Sequence, residues 1–330
     1  MQLEKLMNLP ANDKEVLQAR REEIEGRYTF WRVTELESSP VQGNFDAAHL
    51  KEINRRIFQD LPGAGFDDVT PGEYRESVRE GGDWMKQREL STVNGPFFVA
   101  YSQMDDSAIG RLNNVLKTAK PEKLRGLMTH EFSAYLGRIY VELDYIHPFS
   151  DGNSRTLRTF TRQLARESGY ELSWDRFSSS DIGRDLLYIA RDRSVNKLAM
   201  PHVQNESTMR KISFTQDRLK ANRALPDLLL DAIRPSRAVA FEQMAESKAL
   251  KAHPELDEAY KTMHKAATYF ELKMPDIADA RAAGIQSVLK HVQSRLNIGE
   301  TGNFSQGRAP SVQERQTSQR PPDPEPERER

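Results

Sequence analysis

The sequence predicts a mainly α-helical protein with one short β-hairpin, a helical C-terminal region and a disordered tail. Three observations lead there. Apolar residues recur at three- and four-residue spacing along most of the chain. The stretch Ser91–Gln103 is instead β-branched and aromatic around Asn94-Gly95, a hairpin signal, with Pro96 confining its strand to an edge. Residues 301–330 carry five Pro, one Phe, one Val and no Leu or Ile, too little apolar surface to offset the entropy of ordering them.

Taken in order, residues 1–27 form an N-terminal helical segment. Ala47–Asp60 places Leu50, Ile53, Ile57 and Phe58 at helical spacing. Pro121 opens a long amphipathic stretch with Leu124, Met128, Tyr135, Ile139 and Leu143 on one stripe. Asn153–Ser168 brings Leu157, Phe160 and Leu164 together. Residues 201–300 read as further helices broken at Pro226, Pro235, Pro254 and Pro275. They form a bundle packed on the preceding domain or a delivery and partner-binding module. In the tail, five Arg are balanced by Asp323 and four Glu.

Composition narrows the function. In 330 residues, 48 basic side chains face 49 acidic ones, a net charge of −1, which argues against a surface that grips nucleic acid as a whole. The absence of cysteine excludes disulfides, thiolate nucleophiles, zinc fingers and iron–sulfur clusters. No signal-peptide pattern opens the chain and no apolar run is long enough for a membrane. The expected location is the cytoplasm, or another compartment reached by a signal-peptide-independent secretion route.

The chemistry is concentrated in His147-Pro-Phe-Ser-Asp-Gly-Asn-Ser-Arg-Thr-Leu-Arg158. This is a polar turn between the end of one helix and the start of the next. Backbone N–H groups of Gly152, Asn153 and Ser154 at that helix start form an anion nest aided by the helix dipole. Arg155 and Arg158, three residues apart, project from one helix face and suit phosphate oxygens. Asp151 suits Mg²⁺, which favours one carboxylate plus phosphates. His147 is the nearby group that titrates around neutral pH, hence the candidate general base.

At these residues the chain resembles the Fic (filamentation-induced-by-cAMP) family, whose signature is H-P-F-x-[D/E]-G-N-G-R-x-x-R. His147, Pro148, Phe149, Asp151, Gly152, Asn153, Arg155 and Arg158 match; Ser154 replaces the second Gly. Weaker echoes are His49-Leu-x-x-Ile-x-x-x-Ile-Phe and Pro71-Gly-Glu-Tyr-Arg75. The resemblance covers about residues 28–200 and implies a Fic-like helical catalytic domain. It implies AMP transfer from ATP to a Tyr, Thr or Ser hydroxyl of a target protein. In that reaction His147 is the base, Asp151 holds Mg²⁺, Gly152–Ser154 cradle phosphates, and Arg155 and Arg158 neutralise the leaving pyrophosphate. The hairpin then corresponds to the family's flap, with Gly95, Pro96, Phe97, Phe98 and Val99 docking the target by strand addition. Alternatives are a weakly active Fic scaffold that binds a partner, and transfer of another nucleotide or a phosphoryl group.

Many Fic proteins carry an inhibitory helix with the pattern [S/T]-x-x-x-E-[G/N], whose Glu pairs with the motif's second Arg. No intact copy occurs here. The nearest is Glu25-Gly26, with Arg21 at the Ser/Thr position. Control by a separate small antitoxin-like protein is therefore expected, or no restraint at all.

Overall fold

The computed structural model describes residues 14–302 together with Phe304. Helix α1 (Lys14–Ser38) crosses the expected division at residues 27 and 28 without a break. Arg32 fastens it to the end of the next helix by two bonds to the Asp60 carboxylate, at 2.6 and 2.8 Å. Helix α2 (Ala47–Phe58) starts where the Asp46 carboxylate accepts the His49 N–H at 3.0 Å, and it buries Leu50, Ile53, Ile57 and Phe58.

The hairpin differs from expectation. Strands β1 (Trp84–Arg88) and β2 (Phe97–Tyr101) pair antiparallel, with Trp84 opposite Tyr101 and Arg88 opposite Phe97. Only the second strand lies within residues 91–103, and Asn94-Gly95 falls in the connection. A two-residue turn at Asn94-Gly95 would pair Val93 with Pro96, which has no N–H to give. Trp84-Met-Lys-Gln-Arg88, mostly long polar chains, carries no strand signal of its own.

Helix α3 (Asp106–Thr118) is capped by Asp105, which accepts the Ala108 N–H at 2.9 Å. The long stretch expected from Pro121 is two helices, α4 (Pro121–Leu124) and α5 (Thr129–Ile146). They are separated at Gly126, whose φ of 77° ends the first. Helix α5 runs through the main core, burying Phe132, Leu136, Ile139, Tyr140, Leu143 and Ile146, while Tyr135 from the expected stripe is exposed. Helix α6 (Asn153–Glu167) buries the expected Leu157, Phe160 and Leu164.

A second two-stranded ribbon, absent from the sequence reading, joins β3 (Tyr170–Leu172) to β4 (Ile233–Pro235). Three-residue strands are too short to display alternation. Between them come α7 (Asp175–Ser178), α8 (Asp181–Ala199), α9 (Glu206–Leu219) and α10 (Leu225–Leu229). The main apolar core runs from Leu36 to Ile233, so its packing continues past residue 200. A second cluster is built from α11 (Ser236–Gln243), α12 (Glu246–Ala252), α13 (Asp257–Lys273) and α14 (Ala278–Asn297). Phe304, in the segment expected to be disordered, is buried in that cluster; the rest of the tail beyond Gly302 lies outside the described residues. Thr129 joins the two clusters, donating its N–H to the Ile298 carbonyl at 3.0 Å and its hydroxyl to the Asn297 carbonyl at 2.7 Å.

Candidate active site

The turn between α5 and α6 carries His147 to Gly152. His147 ends α5 in the left-handed region (φ 49°, ψ 59°), which turns the chain out of the helix. The carbonyls left over at that helix end are taken up by two residues. Buried Arg75 donates Nε to the His147 carbonyl at 2.7 Å and its N–H to the Pro148 carbonyl at 2.8 Å, and Ser102 Oγ donates to the Ile146 carbonyl at 2.8 Å. The Arg75 guanidinium sits over the Trp84 ring, 3.8 Å from its centroid, and burial lowers its pKa to about 10. The Pro71–Arg75 echo thus marks a clamp on the turn that carries His147.

The His147 ring is buried, its centroid 3.8 Å from that of Tyr101 of β2 with the two planes tilted by 31°. Burial lowers its pKa to about 4, although nearby Asp144 pulls the other way. It is therefore neutral at physiological pH and able to take a proton. Asp151, exposed, accepts the Gly152 N–H at 2.7 Å through Oδ1. No group of three or more His, Cys, Asp or Glu among the described residues could hold a metal. One carboxylate fits Mg²⁺ that arrives on nucleotide phosphates and does not fit a metal held by protein alone.

Gly152 needs to be glycine twice over. Its φ is 72°, and a Cβ there would lie 1.9 Å from Phe58 Cζ. The first bond of α6 is Thr156 N–H to the Gly152 carbonyl, at 3.0 Å, which leaves the N–H groups of Asn153, Ser154 and Arg155 without intrahelical acceptors. Asn153 is a correction to the phosphate set. Its buried amide is spent on Phe149, accepting the N–H at 3.0 Å and donating to the carbonyl at 2.6 Å, so only its backbone can face an anion. Ser154 sits within α6 on ordinary helical backbone, so the left-handed freedom that the turn requires resides in Gly152 and not here.

The two arginines differ. Arg155 points to α1, where it forms an ion pair with Glu25 and donates to the Thr29 hydroxyl at 2.9 Å. The Arg158 guanidinium makes no hydrogen bond or ion pair with any described residue; the Arg158 carbonyl accepts from the Thr161 hydroxyl at 3.2 Å. Glu25 therefore meets the first arginine of the segment, not the second.

The expected docking residues are mostly inaccessible. Gly95 and Pro96 lie in the β1–β2 connection, Phe97 and Val99 are buried, and Phe98 is half-buried. The outer edge of β2 is already occupied. Thr215 Oγ1 accepts the Phe98 N–H at 2.9 Å, Asn196 Nδ2 donates to the Phe98 carbonyl at 2.8 Å, and Asn196 Oδ1 accepts the Ala100 N–H at 3.0 Å. By alternation, the outward backbone groups of β1 are those of Met85 and Gln87. A helix-borne Asn and Thr that close a strand edge leave no trace in a sequence pattern. Asp144, beside His147, and Arg191, which holds Asp144, likewise have no signal in the pattern beyond the place of Asp144 one turn before His147.

Residues 44–165 match the sequence model of the Fic/DOC family. The chain is 33% identical over 169 residues to protein adenylyltransferase VbhT of Bartonella schoenbuchensis, across 51% of this chain and 30% of that protein. It is 29% identical over 161 residues to the probable protein adenylyltransferase Fic of Escherichia coli, across 48% and 67%. The chain thus spans under a third of the length of VbhT. Among solved structures, it resembles the N-terminal Fic domain of a putative cell filamentation protein from Bartonella quintana with bound ADP. That likeness has a TM-score of 0.41 and 18% identity, over 68% of this chain and 89% of that one.

Proposed function

This chain belongs to the Fic/DOC family through its residues 44–165, and on that premise we propose that it transfers AMP from ATP to a Tyr, Thr or Ser hydroxyl of a target protein. One observation carries the reading: a buried, neutral His147 shares a six-residue turn with Asp151 and an open helix N-terminus. The target hydroxyl oxygen attacks the α-phosphorus, the bond to the β-phosphate oxygen breaks, pyrophosphate leaves, and His147 accepts the hydroxyl proton. The backbone N–H groups of Asn153, Ser154 and Arg155 and the Arg158 guanidinium face the phosphates, while the Gly152 N–H is taken by Asp151. Asp151 would hold Mg²⁺, which neutralises phosphate charge when bound.

The target segment adds to the outer edge of β1, at Met85 and Gln87, in place of the 95–99 segment. Arg158 is open to the carboxylate of a separate small antitoxin-like protein. Among the described residues no helix is long and apolar enough to cross a membrane. We place the enzyme in the cytoplasm of its producer as a toxin-like protein; the alternative is an effector translocated into another cell.

The test is to incubate protein, Mg²⁺ and lysate with ATP labelled at the α- or the γ-phosphate. Protein-bound α-label is expected, falling by at least about 10²-fold in His147→Ala. γ-Label alone would mean phosphoryl transfer. No label, even with Ser154→Gly, would mean a scaffold.

A further inference from the structure

His147 Nδ1 is buried with no hydrogen-bond partner. The nearest carboxylate oxygen is Asp144 Oδ1, at 3.7 Å, one helical turn earlier on α5. Asp144 is fully buried. Its position is fixed from α8 by buried Arg191, which donates Nε to Oδ2 at 2.9 Å and Nη2 to Oδ2 at 2.7 Å and to Oδ1 at 3.0 Å. Two donors therefore load Oδ2, while Oδ1, with one longer bond, keeps acceptor capacity on the side of the imidazole. Arg191 is itself hemmed in by the rings of Tyr140 and Tyr188, at 5.8 and 5.5 Å.

A neutral imidazole has one N–H and one lone pair, and its surroundings decide which nitrogen carries which. A lone pair on Nδ1 would face an ionised carboxylate across a gap too small for water, whereas an N–H there is attracted to it. We infer that Asp144, locked by Arg191, is a positioning residue that places the proton of neutral His147 on Nδ1 and so leaves the Nε2 lone pair as the base. The inference rests on the adenylyl-transfer reading only for its consequence in catalysis. After proton transfer the imidazolium carries N–H on both nitrogens, and Asp144 stabilises the new charge.

Other charged groups near the ring oppose that charge. Lys86 of β1 and Arg191 both disfavour an imidazolium, and burial does so more strongly. Asp144 is the group that counters them. It stays ionised: burial alone would raise its pKa, but the Arg191 guanidinium brings it to about 2.

The test reads the tautomer first, in the full chain without nucleotide. Imidazole ¹⁵N shifts at neutral pH should show protonated Nδ1 and pyridine-type Nε2 for His147. The opposite tautomer in the unsubstituted protein overturns the inference without any variant having to fold. In Asp144→Asn the preference should be lost. kcat for α-label transfer to lysate proteins should fall on the order of 10²-fold with KM for ATP unchanged. An unchanged tautomer in the folded variant overturns the inference. If the unsubstituted protein transfers no label, the adenylyl-transfer reading fails, and the shifts still decide the tautomer.

Discussion

The two apolar clusters of this molecule are built differently. The main one buries large side chains completely, among them Tyr140, Phe132, Phe149 and Phe160, and it also buries Asp144, Arg191, Arg75 and His147. In the second, four of the nine buried members among the described residues are Ala238, Ala240, Ala249 and Ala259, while Tyr269, Leu272 and Ile277 stand exposed on or beside its helices. Helices α2, α3 and α8 of the first unit begin with a side-chain cap from Asp46, Asp105 and Ser180; α11 to α14 have none, and neither do α4, α6, α7, α9 and α10. Buried charge needs a rigid, densely packed surround to hold its partners in place, and the first unit has it. The second unit buries smaller side chains and has no capped helix start among its four helices.

Truncation in each core gives the largest contrast. Phe160→Ala, at a fully buried site, should cost about 3–5 kcal/mol, whereas Leu296→Ala in the smaller cluster should cost about 2 kcal/mol. Denaturant unfolding followed by tryptophan fluorescence and circular dichroism should resolve two transitions, each variant moving its own. If both variants shift one common transition equally, the two clusters unfold as a single unit and the contrast fails.

Acid should act on the first unit through His147. The unfolded chain takes up the proton near the ordinary pKa of 6.5, the folded chain only near 4. Between those values the unfolded state holds more protons, so stability present above pH 6.5 is lost as pH falls towards 4. The loss should total about 3 kcal/mol. Asp144, whose pKa of about 2 lies below the ordinary 3.8, adds a further loss only below pH 3.8. Unfolding midpoints at pH 7 and 4.5 should differ much less in His147→Gln than in the unsubstituted protein. Equal losses in both proteins would mean that His147 is not held neutral.

Legibility in the sequence followed the same divide. The segment His147–Arg158 could be read because eight fixed positions act through local backbone: a helix end, a left-handed glycine and a helix start. The stripes of α2 and α6 could be read because one face of each meets the core. What could not be read depends on distant partners. Asn196 and Thr215 close the β2 edge from helices about a hundred residues downstream. Arg191 reaches Asp144 across 47 positions, and Glu25 reaches Arg155 across 130. Trp84–Arg88 becomes a strand because β2 and Asp192 of α8 hold it, the latter accepting from Arg88 Nε at 3.0 Å. Its own residues state no preference.

Helix ends supply the finest test of the contrast. Asp105→Ala removes the acceptor of the Ala108 N–H and should destabilise the first unit by about 1 kcal/mol. The converse is available in the second unit. Ile277 precedes α14 with an exposed side chain and no cap bond, so Ile277→Ser would give the first turn an acceptor and remove an exposed apolar group. A gain of about 0.5–1 kcal/mol is expected in the second unit's transition, with none in the first. Should the gain appear in both transitions, the contacts of Thr129 with Asn297 and Ile298 would be transmitting stability from α14 into the first unit.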